Sequence, residues 1–431
     1  MKVEDFIVES VARSLSADFS EQSLHEAKRR IIDSFGVALA SVDSQPSATT
    51  LKAMRYFEGT ASAFGGLKVS PDMAAFYNTL LIRYLDFNDT YLSKEPLHPS
   101  DMLGALLSLG SLYKLKGSDV MRAMLVGYEI GTRLCDSTSL RAKGYDHVNF
   151  LQIATVAALC SLLKLDEEIT LQALGISTIP NVALRQSRVG NLSMWKAGAA
   201  ADASRNAAFS VILARNGFTG PSDPISGEKG FRNEIARDMH FDTSIPNFDA
   251  ILETYVKKYP VEYHAQAAVE AALRLSKGVR RQDIKKIVIQ TYEAGMSILA
   301  DKEKWNPENK ETADHSLPFC VSAAFVFKDF DIGVYSHIKD SRIRSLMRVT
   351  DVEELGEYTR MYPEELPTKI KVYTRAGVFE NEVAIPRGHS KNRITDSEID
   401  EKFISLTNDK RLLETLWSLD NKEVDKLVKL T

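Results

Sequence analysis

The chain has 431 residues, and its 54 Lys and Arg against 58 Asp and Glu give a net charge of −4. At roughly 100–200 residues per domain, this length predicts about two or three domains, each able to bury a core. The balanced charge, the lack of any run near ~20 apolar residues and an acidic N-terminus predict a cytoplasmic protein without nucleic-acid or membrane partners.

Helical periodicity dominates residues 1 to about 260. In SLHEAKRRIIDSFGVALASVD, apolar side chains recur at spacings of three and four and line up one buried face. The segment from Lys196 to Gly217 is rich in Ala and ends with a glycine, which favours helix termination. Its small side chains predict a helix that neighbouring backbones approach closely inside a bundle.

The pattern changes after about residue 265. One further helix, AQAAVEAALRLSKG, is followed by the β-branched segment IKKIVIQTY and later by TKIKVYTRAGVFENEVAIP, which predicts two strands joined by a turn. From Thr395 the spacing is helical again. The fold class predicted is mainly α with a smaller α+β domain. A discontinuous all-helical domain takes residues 1–265 and 395–431, and the α+β domain is inserted at 266–394.

The densest polar cluster is LDFNDTYLSKEPLHPSD, which follows an apolar helical run and contains two prolines. The chain must therefore leave the helix and form a loop. Asp86 and Thr90 lie four residues apart and share one face if the helix continues that far, and His98 lies in the loop. Loops on a rigid scaffold concentrate catalytic groups, although Asp, Thr and Pro are also ordinary helix-end residues.

Metal binding has little support in the sequence. Asp86 and Asp89 form an Asp-x-x-Asp pattern that could hold magnesium in a helical enzyme acting on diphosphates. Such enzymes normally offer a second acidic cluster, and Glu364 and Glu365 in the β-rich part are poorly placed to supply it. The cysteines are widely spaced in apolar surroundings, which predicts buried thiols: Cys135, Cys160 and Cys320. We expect no bound metal and no cofactor.

Three further polar residues stand out against apolar neighbourhoods. His147 precedes a strongly apolar helix, Lys196 begins the Ala-rich helix, and His264 lies in KKYPVEYHAQ. A lysine at a helix N-terminus opposes the helix macrodipole, so Lys196 is either a solvated surface charge or the partner of a nearby anion. For each histidine, the alternative to a functional role is a satisfied structural hydrogen bond.

Residues Asp314, His315 and Ser316 are adjacent in the chain. Adjacency does not indicate a hydrolase triad, because triad members meet in space, and the chain has no Gly-x-Ser-x-Gly motif. We instead expect Thr312 or Asp314 to cap a helix that runs through PFCVSAAFVF.

Taken together, these segments resemble the MmgE/PrpD family, whose members include 2-methylcitrate dehydratase, cis-aconitate decarboxylase and iminodisuccinate epimerase. The resemblance runs over nearly the whole chain and rests on motifs in a common order: DSFGVALA, LDFNDT, HPSD, GYEIGTRL, MWKAGAAA, GFTGPSDPISGEKGF, KKYPVEYHAQ, ETADHSLPF and PRGHSKN. It implies a helical domain from both termini, a smaller lid domain, a homodimer, and an active site between the two domains.

The resemblance also implies a set of site residues. Matched motif by motif, they are Asp86, Thr90, His98, Lys196 and His264, together with His147, whose flanking residues differ from the usual pattern. Decarboxylase-like members place a Tyr shortly after His-Ser, where this chain has Phe319. Phe lacks a hydroxyl, so any proton transfer at that position is absent, which argues against a decarboxylase.

The predicted function is a metal-independent dehydratase acting on 2-methylcitrate or a similar tricarboxylate. His98 and His264 form the acid/base pair, and Asp86 orients a histidine or serves as the base. Lys196 binds a carboxylate, and Asp86 with Thr90 positions the substrate hydroxyl. The alternatives are a decarboxylase or epimerase of a related carboxylate, such as cis-aconitate or iminodisuccinate, and a helical scaffold that has lost activity.

Overall fold

The computed structural model describes residues 1–190 and 192–431. Helices take 57% of the chain and strands 10%, which confirms the predicted mainly α class. None of the described helices is both long and apolar enough to cross a membrane.

The first part of the chain is a helical bundle with one short hairpin. Its elements are α1 (Val3–Ser14), α2 (Glu21–Ala40), α3 (Gln45–Met54), β1 (Ala61–Ala63), β2 (Leu67–Val69), α4 (Pro71–Tyr84), α5 (Leu103–Leu112), α6 (Gly117–Ser137), α7 (Val148–Leu162), α8 (Glu167–Thr178) and α9 (Trp195–Arg215). Every residue of α7 is buried, which explains why its sequence is apolar on all sides.

Helix α9 is the Ala-rich segment. It packs against α4, α7 and α8, and its small side chains allow these helices to lie close to it. The helix ends at Arg215, and Gly217 follows with a φ of +89°, a conformation that glycine adopts without a Cβ clash. The glycine stop expected from the sequence is present, and the N-terminus of α9 carries Lys196.

The inserted part combines helices with a four-stranded sheet. Its elements are α10 (Gln266–Ser276), β3 (Ile284–Thr291), α11 (Glu293–Leu299), α12 (Lys310–Ala313), α13 (Leu317–Phe327), α14 (Ser341–Met347), β4 (Thr350–Glu354), α15 (Gly356–Met361), β5 (Thr368–Thr374) and β6 (Gly377–Val383). The strand order is β4-β3-β5-β6. β3 pairs parallel with β4 and antiparallel with β5, and β5 and β6 form the predicted hairpin.

The chain ends in three helices, α16 (Asp396–Thr407), α17 (Lys410–Trp417) and α18 (Val424–Lys429). One hydrophobic core contains buried residues from positions 3–256 together with positions 394–428, so the two ends of the chain share it. A second core contains buried residues from positions 261–383, between the sheet, α10 and α13. The exact boundaries at residues 265 and 394 stay predictions.

Candidate active site

The polar cluster after α4 is a loop pinned by backbone pairing. α4 ends at Tyr84, and Asp86 has a φ of +53°, so the helix does not continue and Asp86 and Thr90 share no helical face. Thr90 exchanges two backbone hydrogen bonds with Tyr255, at 2.9 and 2.8 Å. Its hydroxyl donates to the Leu97 carbonyl at 3.1 Å, and toward a substrate it can therefore only accept.

The Asp86 carboxylate is buried among three cations. Arg83 Nη1 lies 2.8 Å from Oδ1, Lys196 Nζ lies 3.0 Å from Oδ2, and Lys257 Nζ contacts Oδ1 and, at 2.8 Å, the Asp86 carbonyl. Burial alone raises the pKa of a carboxyl, but the charges of these three residues hold the pKa of Asp86 well below its ordinary value. Asp86 is therefore ionised at neutral pH.

Lys196 is not a solvated surface charge: it is 3% exposed. Its Nζ lies 2.9 Å from Asp314 Oδ1 and 3.2 Å from His315 Nδ1, in addition to its contact with Asp86. The two carboxylates supply the anion that a lysine at a helix N-terminus needs. The structure thus joins Asp86 and Lys196 directly, as two residues of the predicted site.

The expectation that Thr312 or Asp314 caps α13 is wrong. The cap is Ser316, whose Oγ accepts from the Phe319 N–H at 3.2 Å. Asp314 instead accepts from Lys310 at 2.7 Å and from Lys196 of α9 at 2.9 Å, and it contacts His315 Nδ1 at 2.6 Å, so its carboxylate is held by these partners and not by the end of α13. Burial opposes ionisation of Asp314, yet the charge of Lys196 and its other neighbours lowers its pKa below the ordinary value.

We call the residues joined by these contacts the charged network. Its members are Arg83, Asp86, Lys196, Lys257, Lys310, Asp314 and His315. Ligand atoms of Asp86, Asp314 and His315 lie within 4.8 Å of one another, a spacing that could hold a metal. The Lys196 ammonium lies within about 3 Å of all three, so this donor set fits an ammonium rather than an added metal cation.

Asp89 has a different partner set from Asp86. Its Oδ2 accepts from the Tyr128 hydroxyl at 2.6 Å and its Oδ1 accepts from the Ser100 N–H at 3.0 Å. These bonds occupy the carboxylate inside the bundle. The structure therefore gives no support to a magnesium site built from Asp86 and Asp89.

His98 is held in one tautomer. Its Nδ1 lies 2.8 Å from the Asp89 carbonyl oxygen, which can only accept, so Nδ1 carries the hydrogen and the Nε2 lone pair is free. Burial, followed by the charge of Arg83, lowers the pKa of His98 well below its ordinary value. His98 is consequently neutral at neutral pH, with Nε2 available to accept a proton.

His147 lies against His98, with ring centroids 5.8 Å apart. Its Nδ1 is 3.1 Å from Asp146 Oδ1, and its Nε2 has no hydrogen-bond partner among the described residues. Burial lowers the pKa of His147 to about 3 despite the nearby carboxylate. The structure thus brings together two of the predicted histidines, and one of them has a buried ring nitrogen without a partner among the described residues.

His264 lies in a different environment, which we call the aromatic wall (His264, Tyr292 and Tyr362). His264 Nδ1 is 2.6 Å from the Tyr292 hydroxyl, and the Tyr292 ring stacks on Tyr362 with centroids 5.2 Å apart. Burial lowers the pKa of His264 below its ordinary value. His264 shares no hydrogen bond with His98 within the described chain, but the charge of Lys257 contributes to the lowered pKa of both histidines.

Several residues of this site are absent from the sequence-based set. No functional role for Lys257 or Tyr292 is indicated by the sequence. Lys257 lies in the KKYPVEYHAQ motif, and Tyr292 ends the β-branched segment IKKIVIQTY. Asp314 and His315 lie in the ETADHSLPF motif, but the sequence suggested only a rejected triad and a helix cap for them. Lys257, Asp314 and His315 are identified as site residues by contacts with positions more than 100 residues away in the chain. Tyr292 is identified by its contact with His264, which is 28 residues away.

Comparison with known proteins gives matches along most of the chain. A model of the MmgE/PrpD N-terminal domain matches residues 6–244, and a model of the MmgE/PrpD C-terminal domain matches residues 259–414. Curated relatives include 2-methylcitrate dehydratase of Cupriavidus necator, 30% identical over 85% of this chain and 82% of the relative. The enzyme of that name from Escherichia coli K12 is 30% identical over 76% of this chain and 73% of its own. The mitochondrial one from Yarrowia lipolytica is 27% identical over 87% and 78%.

Proposed function

The chain belongs to the MmgE/PrpD family, and on that premise we propose that it is a dehydratase that removes water from 2-methylcitrate or a closely similar tricarboxylate. Relatives with this name cover most of the chain, which supports the reaction class. The observation within the site that carries the proposal is its charge: a buried network with more cations than carboxylates beside three neutral histidines.

The charge of the network suits a polyanion. Although the whole chain has a net charge of −4, four cationic side chains face two carboxylates with lowered pKa values: Arg83, Lys196, Lys257 and Lys310, against Asp86 and Asp314. A third carboxyl, Asp101, lies 3.6 Å from Arg83 Nε, but burial raises its pKa to about 7, so it is only partly ionised at neutral pH. A substrate with two or three carboxylates supplies the missing negative charge, and burial strengthens each interaction. Lys196 binds one substrate carboxylate in this proposal.

His98 is the base. Removal of a proton from carbon requires a neutral imidazole whose free nitrogen faces the substrate. The Asp89 carbonyl keeps the hydrogen of His98 on Nδ1, and burial keeps the ring neutral, which supports Nε2 as the atom that accepts the proton. Asp86 helps to position the substrate hydroxyl, together with Thr90 as an acceptor, and His147 Nε2 is free to bind substrate.

His264 is the acid. The Tyr292 hydroxyl can either donate to or accept from Nδ1, so this contact accommodates neutral and protonated His264, unlike the carbonyl beside His98. Burial disfavours the protonated ring in the free protein, but a bound polyanion raises the pKa again. His264 then gives a proton to the departing hydroxyl as His98 takes one from carbon, and water leaves.

The same residues could also serve a decarboxylase or an epimerase, which are the alternative functions. Phe319 is fully buried in the second core, with its ring centroid 6.2 Å from that of Tyr335, and it offers no hydroxyl to a substrate. This favours dehydration over decarboxylation. An epimerase needs no leaving group, so its substrate exchanges a carbon-bound proton with D2O without loss of water.

The decisive experiment is product identification by NMR with 2-methylcitrate, citrate, cis-aconitate and iminodisuccinate. We expect dehydration of a tricarboxylate. Replacing His98 or His264 by Gln should lower kcat/KM by about 10²–10⁴-fold, the usual contribution of a general acid or base. His337→Gln, an exposed histidine, is the matched control and should stay within twofold. Changes below about threefold in both site variants contradict the assignment.

The metal-free part of the proposal has a separate test. Activity should survive dialysis against EDTA, because Lys196 takes the place of a cation among the three possible ligands. Loss of activity on chelation, followed by recovery with magnesium or iron, would refute this part.

A further inference from the structure

A pair of chain segments beside the histidines carries two arginines. The Asp146 N–H donates to the Ala183 carbonyl at 3.0 Å, and the Arg185 N–H donates to the Gly144 carbonyl at 2.9 Å. This pairing places Arg185 next to the segment that contains Asp146 and His147. The position of Arg185 is thus set by the same backbone contacts that place a site histidine.

Arg141 is tied to the other site histidine. Its N–H donates to Glu95 Oε2 at 2.9 Å, and Glu95 lies three residues before His98 in the same loop. The Glu95 carboxyl also accepts from Ser139, and burial raises its pKa to about 7. At neutral pH this carboxyl is only partly ionised, so its charge does not neutralise both arginines around it.

The arginines of these segments differ in whether an acid neutralises them. Arg188 has a partner, because its Nε lies 2.9 Å from Asp146 Oδ2. Arg141 and Arg185 are both half-buried, and neither guanidinium has a carboxylate at salt-bridge distance in residues 1–190 and 192–431. A half-buried guanidinium without an acidic partner loses hydration without a compensating charge.

The two unpaired arginines are joined through Gly144, whose N–H donates to the Arg141 carbonyl at 3.3 Å and whose carbonyl accepts from the Arg185 N–H at 2.9 Å. Burial, and after it the charge of Arg141, lowers the pKa of Arg185. Arg141 contributes to the lowered pKa of His264, and Arg185 contributes to that of His147. Two neighbouring like charges raise the energy of the free protein and are relieved by an anion bound between them.

We propose that Arg141 and Arg185 together bind one carboxylate of the substrate, other than the carboxylate held by Lys196. The planar guanidinium matches a carboxylate with two parallel hydrogen bonds, so two arginines can grip both of its oxygens. The inference rests on the proposed function for the identity of the substrate, but not for the binding of a polycarboxylate. It makes this pair the element that distinguishes tricarboxylates from dicarboxylates.

The test uses unreactive ligands, so that binding is measured without turnover. Tricarballylate has three carboxylates and no hydroxyl, and glutarate is the same chain without the central carboxylate. By isothermal titration calorimetry, wild-type protein should bind tricarballylate at least tenfold more tightly than glutarate. In the double variant Arg141→Gln/Arg185→Gln this preference should fall below threefold, while the Kd for glutarate stays within about threefold of wild type.

Arg375→Gln, on the exposed turn of the β5–β6 hairpin, is the control for loss of an arginine charge away from the site and should keep the wild-type preference. Unchanged glutarate binding shows that the double variant is folded. The inference is overturned if the double variant keeps its preference, or if wild-type protein shows none. If the double variant loses its preference for tricarballylate, the arginine pair binds a carboxylate, even if the wild-type protein does not dehydrate 2-methylcitrate. If the wild-type protein dehydrates 2-methylcitrate and the double variant keeps its preference, the proposed function stands and the arginine pair has no part in substrate binding.

Discussion

The two walls of the candidate site, the charged network and the aromatic wall, differ in the side chains that form them. The charged network holds Asp86 and Lys196 among buried ion pairs, with contacts of 2.8–3.0 Å between Asp86 and its partners Arg83 and Lys196. In the aromatic wall the two phenol rings stack on each other, and the Tyr292 hydroxyl shares a hydrogen bond with His264 Nδ1. In the proposed mechanism, the first wall binds the charged substrate in a fixed geometry, and the second allows its histidine to change protonation state.

This difference has an energetic side. A buried ion pair contributes little net stability, because desolvation offsets attraction, but removing one partner leaves the other charge uncompensated. A tyrosine hydroxyl bound to a histidine is worth only about 1 kcal/mol. The two walls should therefore respond very differently to the loss of a single polar group.

The largest effect should follow Asp86→Asn. Without the carboxylate, Arg83, Lys196 and Lys257 lose their shared counter-charge, and the free energy of unfolding should fall by about 3–5 kcal/mol. Urea denaturation measures this loss. kcat/KM should fall by at least 100-fold in the same variant.

The matched control for Asp86→Asn is Glu26→Gln, which makes the same change at a buried carboxylate shared by Arg29 and Arg30 outside the site. It should lose a similar free energy of unfolding and keep its kcat/KM within about threefold. Equal losses of activity in the two variants would show that Asp86 acts only through stability.

The second effect concerns pH. The pKa of His147 is about 3 in the folded chain and about 6.5 when unfolded, so the unfolded chain binds more protons between these values. The contribution of the neutral His147 ring to the free energy of unfolding is complete above pH 6.5 and is lost as the pH falls below that value. Between pH 7 and pH 5, His147 should account for up to about 2 kcal/mol of lost unfolding free energy.

The measurement is the difference between wild type and His147→Gln at each pH. Burial raises the pKa of both Glu95 and Asp101 to about 7, so these groups stabilise the folded chain as the pH falls and partly mask the histidine. They are common to both proteins and cancel in the difference. A difference that does not change between pH 7 and pH 5 contradicts a buried neutral His147.

The smallest effect should follow Tyr292→Phe in the aromatic wall. Loss of the hydroxyl leaves His264 Nδ1 without its partner and disfavours the protonated ring, so kcat/KM should fall by about tenfold, roughly 1.4 kcal/mol. The alkaline limb of the pH profile of kcat should move to lower pH. A merely structural role would change neither limb.

Tyr263→Phe is the control for Tyr292→Phe, because the buried Tyr263 hydroxyl has no hydrogen-bond partner in the described part of the chain. Its removal should leave the pH profile unchanged and should not lower stability. If both variants shift the alkaline limb equally, the effect belongs to the packing of the wall rather than to the contact with His264.

Local features of the fold could be predicted because they depend on near neighbours in the chain. Helix and strand periods are set by residues two to four positions apart, and the Gly217 stop and the β5–β6 hairpin were predicted on that basis. The same reasoning failed where a distant charge competed with a local role. Asp314 could cap a helix by position, but Lys196, 118 residues away, holds its carboxylate instead.

By itself, the sequence determined the mainly α class, the polar loop after α4 and the motifs that place the chain in its family. Those motifs also predict the site residues Asp86, Thr90, His98, His147, Lys196 and His264. Tertiary structure alone decided that Lys257, 171 residues from Asp86, binds its carboxylate, and that one histidine has a carbonyl partner and another a phenol. The physical reason is that burial and ion pairing depend on which segments pack together. The type of a residue determines which hydrogen bonds and ion pairs it can form, and the packing of the chain determines the partner with which it forms them.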